Sequence, residues 1–489
     1  MIAGLQSARR EPEFFCHLPV APVFPMNLEA LLDPRRYPHP VGRVEVLETH
    51  ISWILLAGEF AYKLKKPVTL PFLDYGSVAR RRACCEAELR LNRRYAPDIY
   101  LAVVEFDGEP AVKMRRFDEA ARLDHVSRRG ELTPAHLSDL ARTVAAFHAA
   151  AEAASPASAF GAPAVVLAAA MENFDELDQL MAAEAPRLGR LRCWTEAECE
   201  RRRDTIGARK AAGRVRECHG DLHLGNLVLL EGRAVPFDCI EFNDAFRWID
   251  VANEIAFTYG DLLDHDKPGL ACWLLNEWLT WSGDYGALAV LPYYAVYRAV
   301  VRAKVAAIRG QAEEAGAYLA MAESLTGRPP PSLTITFGLS GSGKTTRSTA
   351  RLLADPHAAT IRMRSDVERK RLFGLAPDAD SAGGIYGADA TTRTYARLLE
   401  LARQALADGW SVLVDAAFLK RAERDAFGAL AASANVPYRI LACQAPAEEL
   451  RRRLAARSGD ASEADIGVLE RQLGWLEPLG PDEGEVVAA

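Results

Sequence analysis

The chain has 489 residues, 59 basic and 66 acidic side chains for a net charge of −7, and 49% hydrophobic residues. At roughly 150 residues per domain this corresponds to two or three compact units, and the balance excludes a largely disordered chain. The acidic total also excludes an overall electrostatic footprint for duplex nucleic acid or an anionic membrane. No run of about 18 apolar residues is present, so no membrane span is expected. The N-terminus lacks the apolar core of a secretory signal. Nine scattered cysteines include no CxxC pair, which points to a reduced, cytoplasmic setting without a disulfide framework or zinc site.

In chain order, residues 1–40 are Pro-rich and read as an arm. From 43, RVEVLETH, ISWILLAG and EFAYKLKKPV read as strands. Residues 77–95 have helical spacing, and IYLAVVEF and PAVKMRRF add two strands around an Asp107-Gly108 turn. Residues 41–118 are thus a small sheet with one inserted helix. Residues 119–326 are mainly helical, with Thr133 as a cap and Pro134 in the first turn of one helix. RVRECHGDLHLGNLVLLEGRAVPFDCIEF interrupts them with short strands and a polar loop. Gly327 to Pro331, GRPPP, reads as an extended linker. From 332 to 489 strand and helix alternate, as in a parallel α/β sheet with helices on both faces.

His219-Gly220-Asp221-Leu222-His223-Leu224-Gly225-Asn226, followed by Phe237-Asp238, holds the residue types that phosphoryl transfer requires. One carboxylate, Asp221, orients an acceptor hydroxyl and takes its proton. A neutral oxygen ligand, Asn226, and an acidic one, Asp238, suit magnesium, which prefers oxygen donors. This stretch resembles the aminoglycoside phosphotransferase family over roughly 41–310. The resemblance implies a protein-kinase-like bilobal fold, Asp221 as base, and Asn226 and Asp238 as metal ligands. It further implies that His219 braces the loop and that Asp250 supports it. Phe60-Ala61-Tyr62-Lys63 resembles the kinase strand that places a lysine on the nucleotide phosphates. Lys63 is preferred and Lys65, on the same strand face, stands second. Glu88 on the inserted helix is the expected partner, with Glu86 as the alternative. No Gly-rich loop precedes Lys63; Thr49 and Ser52 in the first turn are weaker phosphate contacts. Arg298, Arg302 and Lys304 make the last helix basic, which argues against a polycationic acceptor.

Gly338-Leu339-Ser340-Gly341-Ser342-Gly343-Lys344-Thr345 is a complete P-loop between a strand and a helix. Its amides wrap phosphates at a helix N-terminus. Gly338, Ser340, Gly341, Ser342, Gly343, Lys344, Thr345 and Thr346 are the nucleotide-binding candidates, and Thr345 also serves the metal. Asp366 follows the second strand as a base, and Asp415 ends the strand SVLVD as a second metal carboxylate. This half resembles small P-loop kinases of the polynucleotide kinase, zeta toxin and gluconate kinase type. Arg453 and Arg457, four apart on one helix face, are lid candidates, and Arg424 is a weaker one for substrate phosphate.

These readings predict a two-headed phosphotransferase that uses ATP and Mg2+ on small-molecule hydroxyl acceptors. Two alternatives remain open: a nucleotide-sensing protein with one inactive module, and a polynucleotide end kinase in the C-terminal half. The second rests on Arg364, Arg369, Lys370 and Arg371.

Overall fold

The computed structural model describes residues 28–70, 73–381, 385–456 and 464–488. Two compact units emerge, one from Met1–Phe117 with Glu241–Asn243, the other from Asp118–Ile240 with Asp244–Ala489.

In the first unit, β1 (Val44–Glu48), β2 (Ser52–Ala57) and β3 (Phe60–Lys65) form an antiparallel meander. Strands β4 (Thr69–Leu70) and β5 (Leu73–Asp74) pair antiparallel ahead of helix α1 (Val78–Asn92). Then β6 (Tyr100–Phe106) and β7 (Glu109–Arg115) complete a sheet of order β1-β2-β3-β7-β6. Asp107 (φ 51°) and Gly108 (φ 88°) make the β6–β7 turn, both in the left-handed region that an Asp-Gly hairpin favours. On β3 the alternation splits the side chains. Tyr62 and Leu64 enter a core with Leu55 and Phe106, while Lys63 and Lys65 reach Glu88 of α1. The expected arm is partly structured: Leu31 and Tyr37, on short 3-10 turns at 28–36, are buried in that same core.

The second unit begins with α2 (Leu123–Arg128), α3 (Pro134–Ala150), α4 (Pro163–Leu180), α5 (Ala185–Arg201) and α6 (Arg203–Ala211). Thr133 caps α3 in a capping box with His136, and Pro134 fills its first position. Strand β8 (Val215–Glu217) precedes the polar loop; β9 (Leu227–Leu230) and β10 (Arg233–Pro236) form a hairpin behind it. After α7 (Asp244–Arg247) and β11 (Trp248–Asp250), helices α8 (Val251–Asp264), α9 (Pro268–Ser282), α10 (Leu291–Ile308) and α11 (Ala312–Leu325) close the helical region. Every residue of α8 from Val251 to Leu262 is buried.

Next come β12 (Leu333–Phe337), α12 (Lys344–Leu353), β13 (Thr360–Arg364), α13 (Ser365–Leu372), α14 (Ala388–Ala407), β14 (Ser411–Asp415), α15 (Arg421–Ser433), β15 (Tyr438–Ala442), α16 (Ala447–Ala455), α17 (Ile466–Trp475) and β16 (Glu485–Ala488). The strands are all parallel, in the order β13-β14-β12-β15-β16. Strand β12 is buried along its whole length, as a central parallel strand must be. The Pro-rich segment marks a change of composition, yet packing crosses it. Arg328 lies over the Trp410 ring, 3.5 Å from its centroid. One hydrophobic cluster runs from Tyr259 and Leu275 of the helical region to Ile361 and Trp410 of the parallel sheet.

Candidate active sites

In the first unit Glu88 is fully buried and bonds two ammonium groups, Lys63 at 2.9 Å and Lys65 at 2.7 Å. Lys65 has no exposed surface and pairs in addition with Glu241, to which the Tyr75 hydroxyl also donates. Lys63 keeps 11% of its side chain open. Burial works to raise the Glu88 carboxyl, but Lys63 and Lys65 outweigh it and hold it at about 2. Burial likewise pulls the Lys65 ammonium down, and Glu241 and Glu88 reverse this and raise it well above the ordinary lysine range. The preferred pair, Lys63 with Glu88, is therefore in contact, and Glu86 is exposed. Lys65 is an internal strut, and Glu241, which sequence reasoning missed, is its second anchor. The Thr49 hydroxyl is engaged inside its own turn: it lies 3.1 Å from Ser52 O and accepts from Ser52 N at 3.0 Å.

In the second unit the loop after β8 is fixed from below by α8. Glu254, fully buried, accepts from His219 N at 2.7 Å and Gly220 N at 2.8 Å. The Thr258 hydroxyl donates to Leu222 O at 2.5 Å, and Asp261 accepts from Leu224 N at 2.7 Å. Positions 254, 258 and 261 share one helix face, so a single side of α8 satisfies the loop backbone. Trp278 donates to His148 Nδ1 at 3.2 Å, which leaves His148 Nε2 to donate to Glu254 at 3.3 Å. Burial works to raise the Glu254 carboxyl; His148, His219 and the Gly220 amide outweigh it and hold it at about 2.

Gly220 stands at φ 88°, and a Cβ there would lie 2.7 Å from Phe246 O. His219 accepts from Asp221 N at Nδ1 (3.3 Å) and donates from Nε2 to Phe237 O (2.8 Å). It thus joins the loop to the segment that carries Asp238. The Asn226 amide nitrogen donates to Asp221 Oδ2 at 2.8 Å, which leaves its carbonyl oxygen as the remaining acceptor. Burial acts to raise Asp221, but His223, His219 and Arg298 outweigh it and keep it ionised, well below the usual carboxylate range. Asp238 sits in the left-handed region at φ 63°, a strained conformation for a residue with a Cβ.

Two expectations for this region change. Asp250 caps α8 through Ala252 N and forks onto Arg209 at 2.7 and 2.8 Å; the loop's own brace is Glu254, one turn further on. The basic residues of α10 are engaged: Arg298 donates to Asn253 at 2.7 Å, Arg302 to the Tyr318 hydroxyl at 2.7 Å, and Lys304 pairs with Glu176 at 3.2 Å. They do not form an open basic wall.

The P-loop site is a cavity of about 1350 Å³. Residues 340 to 346 line it, together with Asp366, Asp415 and Arg453. Its lining carries six basic and three acidic residues, a balance that suits a polyanion. Gly338 has φ 149°, and a Cβ there would meet Cys443 O at 2.1 Å, so only glycine fits. Helix α12 starts at Lys344, which leaves its first N–H groups without intrahelical acceptors. The Lys344 ammonium bonds Gly338 O (2.9 Å) and Leu339 O (2.8 Å), and Arg453 donates to Gly341 O (3.3 Å). Ser348, one turn along α12, bonds the buried Asp415 carboxylate at 2.9 Å.

Asp366 lies in the first turn of α13, and no side chain caps that helix. Arg424 falls away from the cavity. It is 1% exposed, pairs with Glu483 and donates to Phe418 O at 3.0 Å, so it ties down the C-terminal strand segment instead of a substrate. Arg457 lies outside the described residues. In the basic run of α13, Arg369 donates to Thr391 (3.2 Å), Lys370 to Pro377 O (3.3 Å) and Arg371 to Thr280 O (2.5 Å). Lys370 and Arg371 bond inward, which weakens the polynucleotide reading, while Arg369 also lines the P-loop cavity.

Residues 85–271 match the family model of the phosphotransferase enzyme family, and residues 333–479 match a model described as an AAA domain. Over 480 residues the chain is 28% identical to uncharacterised proteins of Mycobacterium tuberculosis and Mycobacterium bovis, spanning 92% of this chain and 95% of each relative. Among solved structures, it is similar to a choline kinase from Cryptosporidium parvum (9% identity, 58% of this chain, 88% of that one, TM-score 0.40). It is also similar to the GDP complex of aminoglycoside 2'-phosphotransferase-IIIa (13%, 61% and 97%, TM-score 0.39). A sugar kinase from Janibacter resembles a third of it (22%, 33% and 85%, TM-score 0.27). The chain therefore carries a stretch of the phosphotransferase enzyme family, 85–271, fused to a P-loop stretch of AAA-domain type, 333–479.

Proposed function

We propose that the protein is a bifunctional phosphotransferase that uses ATP and Mg2+ and acts on hydroxyl groups of small molecules. The observation that carries this reading is the single cavity on which the P-loop, Asp366 and Asp415 converge. The residues present fit a nucleotide–metal pair. Ser342 Oγ is buried at the loop with no hydrogen-bond partner, and the first amides of α12 face the same loop. Thr345 and Asp415 offer the hard oxygen donors that magnesium takes. When bound, Mg·ATP supplies the transferable phosphoryl group and neutralises its charge.

The chain's own residues do the rest. Lys344 exchanges its two carbonyl partners for phosphate oxygens. Asp366 accepts the proton of the acceptor hydroxyl. Arg453, already against Gly341 O, brings positive charge over the loop and excludes water. In the phosphotransferase-family stretch, Asp221 takes the base role and Asn226 and Asp238 hold metal; in the first unit, Lys63, steadied by Glu88, binds phosphate.

The test is ATP consumption by the full chain across neutral, acidic and amino hydroxyl compounds, with Asp221→Asn and Asp366→Asn variants. Loss of a positioned base costs on the order of 10²–10⁴ in rate, so each variant should lose the acceptors of its own module and keep those of the other. If no hydroxyl compound stimulates turnover above basal hydrolysis, the phosphotransferase reading is wrong.

A further inference from the structure

Strand β13 lies at the edge of the parallel sheet, so one row of its backbone groups has no strand partner. Helix α9, from the helical region that precedes the Pro-rich segment, covers that edge. The Asn276 side chain takes the place of a neighbouring strand: its Oδ1 accepts from Arg362 N at 2.6 Å, and its Nδ2 donates to Thr360 O at 2.8 Å. Close packing continues at the start of α9, where a Cβ on Gly269 would lie 1.9 Å from Leu353 O, next to the last turn of α12.

The Arg362 side chain, 4% exposed, then joins three elements. It lies 5.2 Å over the Trp273 ring of α9 and donates to Glu277 of the same helix at 3.4 Å. It also donates to Thr349 at 2.8 Å and to Ser348 at 3.4 Å on α12. Ser348 is the residue that bonds Asp415. A buried guanidinium requires a counter-charge. Glu277 contributes to it from outside the P-loop stretch, and Asp415, bonded to Ser348, contributes from within it. Without Glu277, the guanidinium would lean on Asp415 alone, the group assigned to the metal.

We infer that Asn276, Glu277 and Arg362 are positioning residues through which a helix of the preceding helical region sets the metal side of the P-loop site. The inference rests on the reading of that cavity as a Mg·ATP site. It makes the helical region and the parallel sheet interdependent: the P-loop stretch borrows from α9 both an edge partner and a counter-ion that shares the Arg362 charge with Asp415.

The experiment uses the full chain carrying Asp221→Asn, so that turnover removed by a further Lys344→Ala change reports the P-loop site alone. Mg2+ dependence of that turnover is measured, together with calorimetric binding of ADP with and without Mg2+. Partners behind a metal ligand typically contribute about 10–100-fold to metal affinity or activity. Glu277→Gln should therefore raise the half-saturating Mg2+ about tenfold and diminish the Mg2+-dependent gain in ADP affinity. Metal-free ADP binding should stay within about twofold, since Glu277 lies behind the metal side and not on the loop amides. Glu277→Asp should recover most of the loss. Asn276→Ala should raise the half-saturating Mg2+ in the same direction. Wild-type Mg2+ dependence in both Glu277→Gln and Arg362→Lys overturns the inference while the P-loop assignment stands. If Lys344→Ala removes no turnover and no ADP binding, the P-loop assignment itself falls, and the inference with it.

Discussion

Replacing Glu254 tests whether α8 holds the HGDLHLGN loop in place. In Glu254→Ala, the His219 and Gly220 amides lose an acceptor at 2.7 and 2.8 Å, and His148 loses its partner. An unsatisfied buried donor costs about 1–3 kcal/mol, and bonds to a charged group lie at the upper end. The two amides alone then amount to roughly 3–5 kcal/mol. The proton linkage of the same carboxyl, which reflects the same bonds, gives a second figure. Its value is lowered from an ordinary 4.5 to about 2. A lowered carboxyl contributes stability that is fully present above its unfolded value and lost as the pH falls through the folded one. The window is thus from about pH 4.5 down to about pH 2, and the contribution is about 3 kcal/mol. The two routes agree within a kcal/mol or two. The assay is thermal and urea unfolding of wild type, Glu254→Ala and Glu254→Gln between pH 3 and 7, with Asp221-dependent turnover measured in parallel. Glu254→Gln retains an acceptor oxygen and should fall between the other two. The wild type should lose part of its advantage over Glu254→Ala toward pH 3. If Glu254→Ala unfolds within 1 kcal/mol of wild type at pH 7, or the gap is the same at pH 3, the brace is misassigned.

Lys65→Met should destabilise the first unit by about 3–5 kcal/mol, because Glu88 and Glu241 would lose their shared buried cation. Lys63→Ala should cost less stability yet lower nucleotide affinity more; calorimetric titration and thermal melts of both variants separate the roles, and the reverse ranking would move the phosphate role to Lys65. Gly338→Ala should abolish nucleotide binding at the P-loop, since its Cβ would sit 2.1 Å from Cys443 O in a backbone conformation with φ 149°; wild-type ADP titration by this variant would contradict the close approach. A fragment of residues 332–489 should aggregate or melt at low temperature, because Ile361 and Trp410 share a core with Tyr259 and Leu275; a monodisperse fragment with a cooperative melt near that of the full chain would show the packing to be dispensable.

Much of the chemistry was legible because its spacing is local. The P-loop, the Asp221–Asn226 pair and the Asp107-Gly108 turn are each set by a few consecutive residues whose backbone demands are specific. Choosing Glu88 over Glu86 required the direction of a helix face, which helical periodicity alone leaves ambiguous when both neighbours are polar. Glu254, Thr258 and Asp261 were legible in principle. Polar residues at i, i+4 and i+7 on a helix that is otherwise apolar all round must find partners inside. Asp250 drew attention first because it heads the helix, the place of an N-cap, and the cap is the role it fills.

Charges far apart in sequence were the least legible. The runs at 298–304 and 364–371 look like basic surface, yet Arg298, Arg302, Lys304, Lys370 and Arg371 bond inward, and Arg369 bonds Thr391 beside the P-loop cavity. Arg424 looked like a phosphate ligand, and its partner, Glu483, is 59 positions away. The same blindness applies to Asn276 and Glu277, which a periodicity reading assigns to an ordinary helix. Their meaning appears only when β13 is seen to be an edge strand with α9 against it. Three consecutive prolines suggest a spacer because they cannot continue a helix, but a segment barred from helix can still dock, as Arg328 does on Trp410. The consequence reaches the chemistry. Two stretches joined by a docked segment and a common core cannot be assumed to titrate metal or nucleotide as separate bodies, and a substitution in α9 is as much a probe of the P-loop as one in the loop itself.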